Sequence, residues 1–271
     1  MSTLASFPLP NLPVLWSDRT WEEIPGDLEA TAQAALLPIG ATEQHGPHLG
    51  CGMDFVLADI LCREVSARTR VPMLPPLPYG CSLGHSRRWP GTLALDPVVM
   101  TELVRQIGEQ AYHSGVRRLF LVNAHVTNGA PLRCALELLR AAHDDLMVAL
   151  VNTATVSERV RAAHFIDAED WHANRAETAL MQALAPALVR EERIAGADDP
   201  DRTQGLVFAH PVNRTSHNGV TGSPSQASAT EGAALFAWMV EDLTALVRRG
   251  LAETPPLPHS YDGPAVSTPG A

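Results

Sequence analysis

The chain of 271 residues has no run of eighteen consecutive apolar residues, which excludes a hydrophobic membrane-spanning helix. Its start, MSTLASFPLPNLPVLW, has neither the basic n-region nor the apolar core of a secretory signal, so no export signal is expected there. Positive charge is scarce: Lys plus Arg total 20 against 30 for Asp plus Glu, a formal net charge of -10. That balance argues against a surface for nucleic acid or anionic membrane and leaves a small substrate open. The four cysteines (Cys51, Cys62, Cys81, Cys134) form no C-x-x-C pair. They read as reduced cytosolic thiols, not a disulfide framework, so the expected location is the cytoplasm. There is no internal repeat, and no linker divides the chain.

Hydrophobic residues make up 45% and charged residues 18%, which places the chain among ordinary globular proteins able to bury a large core. Strands are expected at 34–39 (AALLPI), 116–123 (VRRLFLVN) and 146–152 (LMVALVN), each a short apolar run. Helices are expected at 55–68, on the stripe Leu57, Ile60, Leu61 and Val65, and at 97–113 and 131–143, with Pro131 in a first turn. Two more are expected at 176–190, with a break at Pro186, and at 229–250, closed by Gly250. Residues 71–77 (VPMLPPL) read as extended and proline-broken. Strands alternating with helices imply an α/β fold: one three-layer domain over 1–253, with a mostly parallel central sheet flanked by helices. Residues 195–228 lack periodicity and are too long for a plain connection, so they read as a functional loop region. Residues 254–271 read as a mobile or partner-packed tail.

Chemistry concentrates in GATEQHGPHLGCGMD, residues 40–54. The stretch follows the first strand, and ligands of parallel α/β sheets bind beyond the carboxyl ends of the strands. Glu43 and His45 share one side if the chain stays extended, Gly46-Pro47 turns it, and Asp54 precedes a helix. Glu, His and Asp suit Zn²⁺ or Mn²⁺, and Asp54 is the natural carboxylate to be shared by two ions. Taken alone, Asp54 also reads as a helix N-cap and His45 as a hydrogen-bonded loop histidine. His48 reads as a supporting residue, because Gly-Pro prevents a helical H-x-x-H pair, and Cys51 reads as a bystander. NAHVTNG places His125 just past another strand. EDWHANRAETALM adds His172 and Glu177, which converge if His172 stays in the loop and Glu177 opens the helix; a helix-start carboxylate is the plainer reading of Glu177. Asn123 and Asn128 either orient ligands or cap a helix.

The stretch P-I-G-A-T-E-Q-H-G-P-H-L…D resembles the metal motif of the creatininase (creatinine amidohydrolase) family. So do YGCSLGHSRRWPGTLAL at 79–95, the His-Asn loop, the H-x-x-x-x-E-T segment and GVTGSPSQASATEG at 219–232. The motifs run in order over roughly residues 33–245. The resemblance implies a creatininase-like α/β fold and a dinuclear zinc or manganese centre held by Glu43, His45, Asp54, His125 and Glu177. It implies His172 as the catalytic proton-transfer residue, hydrolysis of C–N amide bonds other than peptide bonds, and homo-oligomers, commonly hexamers. Where creatininase itself has a glutamate two residues after the histidine matching His125, this chain has Thr127, which argues against creatinine as substrate. The family also includes formamide hydrolases and a peptide-maturing enzyme.

The expected activity is therefore metal-dependent hydrolysis of a small amide, of lactam or formamide type, with His85, Trp171 and Thr127 as substrate contacts. Arg87 and Arg88 either reach substrate or stay solvated. Three alternatives stand beside it: a peptide-maturing member, a serine hydrolase using Ser82 of the G-x-S-x-G match GCSLG, and a non-catalytic binding protein.

Overall fold

A computed structural model describes residues 11–257. Three six-residue strands form its sheet: β1 (Ala34–Ile39), β2 (Arg118–Asn123) and β3 (Met147–Asn152), in that order and all parallel. The register brings Ile39, Asn123 and Asn152 level at the carboxyl edge. All six residues of β1 are buried, as expected for a strand covered on both faces. The segment 71–77 runs along the free side of β1. Leu36 N donates to Pro72 O at 2.9 Å and Leu74 N to Leu36 O at 2.8 Å, and the prolines between them keep the pairing to isolated bridges.

Nine α-helices surround the sheet among the described residues. In chain order they are α1 (Ile24–Glu29), α2 (Met53–Thr69), α3 (Pro97–His113), α4 (Gly129–Ala142) and α5 (Glu158–His164), then α6 (Arg175–Leu184), α7 (Glu191–Ile194), α8 (Val212–Thr215) and α9 (Ala229–Ala252). Side chains alternate along each strand and build two cores. Ala34 and Leu36 of β1 with Phe120 and Val122 of β2 pack against α2, α6 and α9. Ala35, Leu37, Leu119 and Leu121 pack against α3 and α4. The result is the expected three-layer α/β architecture, with a parallel sheet flanked by helices. Asp96 caps α3 through Val98 N, with Pro97 in the first turn, and Ser228 caps α9 through Glu231 N.

Several expectations need correction. Gly250 does not close the last helix, which runs on to Ala252. A Cβ at Gly250 would lie 2.6 Å from the Phe120 ring, so its bare backbone serves packing on β2. The helix expected over 176–190 ends at Leu184, short of 190, while the break expected at Pro186 is present, where a separate 3-10 turn, Pro186–Leu188, begins. α1 and α5 were not anticipated, because two turns or fewer are too short to display a period. Of the expected tail, residues 254–257 are exposed and irregular, and 258–271 fall outside the described residues. No helix among the described residues is long and apolar enough to cross a membrane.

Candidate metal centre and active site

The carboxyl edge of the sheet gathers the candidate residues. Gly40 directly follows β1, and a Cβ there would lie 2.5 Å from the Phe55 backbone. Its absence lets the first turn of α2 close against the strand end. Asp54 is the second residue of α2, behind its N-cap Gly52, and caps nothing, so the capping reading is corrected. Glu43 N donates to Cys51 O at 2.9 Å, closing the 43–51 loop around His45. His125 stands two residues beyond β2. Glu177 lies in the first turn of α6, where its Oε2 accepts from Ala173 N at 2.6 Å while Asn174 Oδ1 accepts from Glu177 N. One carboxylate oxygen thus secures the helix start, the plainer reading of Glu177, and the other is left available to a ligand. Ala173 adopts a left-handed φ of 48°, which lets His172 and Glu177 face one site. His172 is further held by paired backbone hydrogen bonds with Thr221, from the 195–228 region.

Hydrogen bonds fix which imidazole nitrogens face inward. His45 Nδ1 donates to the Glu43 carbonyl at 3.1 Å, leaving Nε2 as a lone pair 3.4 Å from Asp54 Oδ1 and 3.9 Å from Glu177 Oε1. His125 Nε2 donates to Cys81 O at 3.2 Å, leaving Nδ1 3.3 Å from Glu43 Oε1 and 3.2 Å from Asp54 Oδ2. His172 Nε2 donates to Gln44 O at 2.8 Å, with Nδ1 3.5 Å from Glu43 Oε1. Acceptors therefore face acceptors. Both oxygens of Glu43, His45 Nε2 and Asp54 Oδ2 are buried with no hydrogen-bond partner. Buried acceptors left facing one another are costly unless a cation lies between them.

The donor set fits such cations. Three overlapping groups have ligand atoms within 4.8 Å of one another: Glu43–Asp54–His125, His45–Asp54–Glu177 and Glu43–His45–His172. The first two share Asp54 and can hold two ions.

Without a metal, protons take its place. Burial opposes charge on His45, but Asp54 and Glu177 outweigh it and raise its pKa well above the ordinary imidazole value. Burial likewise opposes charge on His125, and Glu43 and Asp54 carry it well above. Burial pushes Asp54 up, yet His45 and His125 hold it below the usual carboxylate range. Glu43 follows the same pattern, with His125 and His85 overcoming burial. Burial keeps Glu177 above its ordinary value. Burial, with His85 and His45 adding, takes His172 well below, so its imidazole is neutral at pH 7. Burial and His45 lower His48 to about 4; the neutral ring meets Thr178 Oγ1 at 2.8 Å and braces α6, the supporting role expected of it.

The cluster opens into a cavity of about 150 Å³. His85, Trp171 and Thr127, expected as substrate contacts, all line it, as do Val126, His210 and Val212. Thr127 Oγ1 also bonds to Cys81 O and His125 Nε2, so it supports that imidazole. Neither Arg87 nor Arg88 lines the cavity; Arg88 donates to Asn213 O and Ser216 O and pins the α8 loop. Asn128 bridges Gly40 O and Cys81 N, and Asn123 holds the backbone of His125, so both orient loops and neither caps α4. Cys51 lies outside the cavity lining, consistent with a bystander. Sequence reasoning missed Gln44, whose Nε2 lies 3.1 Å from both His85 Nδ1 and Gly219 O, and His210. The length of the 195–228 loop was the one signal for His210.

A family model described as "Creatininase: Creatinine amidohydrolase" matches residues 17–247. The chain is 32% identical over 243 residues to a mycofactocin precursor peptide peptidase of Mycobacterium tuberculosis, covering 83% of this chain and 89% of that protein. It is 30% identical over 260 residues to a creatinine amidohydrolase of Pseudomonas putida, covering 90% and 98%. A solved mutant creatininase of Zn-Zn type superposes with a TM-score of 0.78 at 27% identity, over 89% of this chain and 99% of that one.

Proposed function

This chain belongs to the creatininase family of hydrolases, and within that family we propose that it is a metal-dependent amidohydrolase cleaving the C–N bond of a small lactam or formamide. One observation carries the reading: buried acceptors of Glu43, Asp54, His45 and His125 converge with no protein donor between them. Carboxylate and imidazole donors suit Zn²⁺ or Mn²⁺, held by Glu43, Asp54 and His125 on one side and His45, Asp54 and Glu177 on the other. Such ions, when bound, supply an activated water and polarise the amide carbonyl.

The chain's own groups supply the rest. Neutral His172, its Nε2–H tied to Gln44 O, presents Nδ1 to accept a proton and return it to the leaving nitrogen. Trp171, Val126 and Val212 exclude water from the reacting bond. The cavity lining holds no Arg or Lys, which disfavours an anionic substrate.

A peptide-maturing role is the second reading, favoured by the mycobacterial peptidase relative. A serine mechanism also has a superficial basis, because Ser82 Oγ lies 3.1 Å from His125 Nε2. That nitrogen, however, already donates to Cys81 O and cannot take the serine proton. Ser82 is also buried and absent from the cavity lining. The test is hydrolysis of lactams, formamides and short peptides before and after chelation. Activity lost to chelator, restored by Zn²⁺ or Mn²⁺ and kept in Ser82→Ala supports the proposal. Full activity in metal-free protein, abolished by Ser82→Ala, overturns it.

A further inference from the structure

A second cavity of about 110 Å³ lies beyond the candidate site, over the carboxyl ends of β2 and β3. It shares four wall residues with the first cavity: Ala124, His125, Val126 and Trp171. Trp171 is the largest side chain of that partition. It is half-buried, its ring 5.1 Å from His164 and 5.9 Å from Phe165 by centroid, with no hydrogen bond to another described residue. The floor of the second cavity is polar and uncharged. Asn123 Nδ2 donates to Asn152 Oδ1 at 2.9 Å, which leaves the Asn152 amide NH₂ unbonded among the described residues. Thr153 and Thr155, which follow β3 directly, line the same space with hydroxyls that no described residue engages. Asn123 also holds the backbone of His125, but Asn152, Thr153 and Thr155 make no contact with the Glu43–Asp54 cluster.

Unpaired neutral donors and acceptors, side by side at the carboxyl edge of a parallel sheet, are what a ligand's amide or hydroxyl needs. No carboxylate, Arg or Lys lines the space, and His125, its one imidazole wall residue, turns Nδ1 to Glu43 and Asp54, so an ionic group has no partner there. From this juxtaposition we infer that the second cavity is a substrate subsite for a neutral, hydrogen-bonding acyl substituent. The inference rests on the amide-hydrolase reading above. His172 lines the first cavity and not the second, which places the leaving nitrogen in the first and the acyl arm past Trp171 in the second. The substrate is then an amide whose acyl side carries its own amide or hydroxyl, which narrows the proposed function away from formamides, whose acyl substituent is hydrogen, toward a substituted lactam or an open-chain amide.

Binding tests this separately from turnover. The probes are acetamide, which has one arm, and the blocked diamide N-acetylglycine N-methylamide, titrated into metal-loaded protein by ligand-observed NMR. Wild type is expected to bind the diamide about tenfold more tightly than acetamide, the gain of two or so added hydrogen bonds. Thr155 is exposed, so Thr155→Trp fills the cavity from its rim without disturbing the core. That variant is expected to lose the diamide gain and to keep its affinity for acetamide and its metal. Thr155→Ser, which keeps the hydroxyl and the space, is expected to retain the gain. An equal gain in wild type and Thr155→Trp, or no gain and no measurable binding in wild type, overturns the subsite. Hydrolysis measured on the same samples reports on the amidohydrolase reading: binding with the predicted pattern but no turnover would sink that reading and leave the subsite standing.

Discussion

Two sets of buried or partly buried acidic residues, Asp167 with Asp199 and Glu43 with Asp54, are built in opposite ways. Asp167 accepts from Asn174 Nδ2, Arg175 N and Ser223 N, and Asp199 from Arg202, Ser216 Oγ and His217 N. Each of these carboxylates is satisfied by donors, and together they tie 195–228 to the start of α6. Glu43 and Asp54 are as deeply buried as Asp199, yet three of their four oxygens face lone pairs. Acidic residues surrounded by donors hold a fold together. Acidic residues surrounded by acceptors hold a place for a cation.

Exchanging charge for amide separates the two sets most strongly. Asp54→Asn is expected to lose bound metal and about 10³-fold or more of the hydrolytic rate, the scale of losing electrostatic activation. In metal-free protein at a pH above the raised folded values of His45 and His125, where both imidazoles are neutral, the same change should leave stability unchanged or raise it, because it removes an unpaired buried charge. Asp199→Asn should do the reverse, keeping metal while costing ~1.5–3 kcal/mol from weakened charged hydrogen bonds, read as a lower Tm. If Asp54→Asn destabilises metal-free protein as much as Asp199→Asn does, the contrast fails.

Gly40→Ala probes the backbone that places Asp54. A Cβ 2.5 Å from Phe55 must displace the start of α2, at a cost of about 1–3 kcal/mol. Metal affinity should fall with stability, as measured by titration with a competing chelator. Unchanged affinity would mean that Asp54 is not positioned by this contact.

The pH response distinguishes the clusters next. In metal-free protein, His45 and His125 titrate above the unfolded value of ~6.5, so their stabilisation is complete below that pH and lost as pH rises through their folded values. His48, His85, His164 and His172 are shifted down and act in the opposite sense, costing stability as pH falls below that unfolded value. Their effect is spent by about pH 7.5, where the unfolded chain has released those protons. Metal-free protein should therefore lose thermal stability from about pH 7.5 upward, and metal-loaded protein, whose imidazoles are neutral ligands, should not. Parallel pH curves would contradict the account.

The smallest effect belongs to Thr127→Val. It removes one contact to His125 Nε2, but Cys81 O still fixes that nitrogen, so metal affinity should drop by no more than ~10-fold. A complete loss would make Thr127 more than a support.

What could be read from the chain alone follows from where the information lies. The strands, the long helices and the polar edge are written in local pattern: AALLPI then GATEQH, VRRLFLVN then AHVTN. The six site residues stand in irregular segments just past strands or at a helix start, where such side chains have little to do in a core. Gln44 had no local signal, because its partner Gly219 lies 175 positions away and only the folded loop brings them together. The second cavity was equally hidden, since it exists only once Trp171 is set against β2 and β3. Asp54 shows the limit of residue type: an aspartate at a helix start usually caps, and only the facing lone pairs of His125 and His45 reveal otherwise.

The central claim is that buried acceptors facing acceptors form a place for two divalent cations. Native mass spectrometry of metal-free protein titrated with Zn²⁺ or Mn²⁺ counts them directly. The account predicts two ions per chain in wild type and in Asp199→Asn, one in Glu177→Gln, and none retained at micromolar metal in Asp54→Asn, where the shared ligand is lost. A wild-type chain that takes up no ion under these conditions, or an Asp54→Asn chain that takes up two, would contradict it.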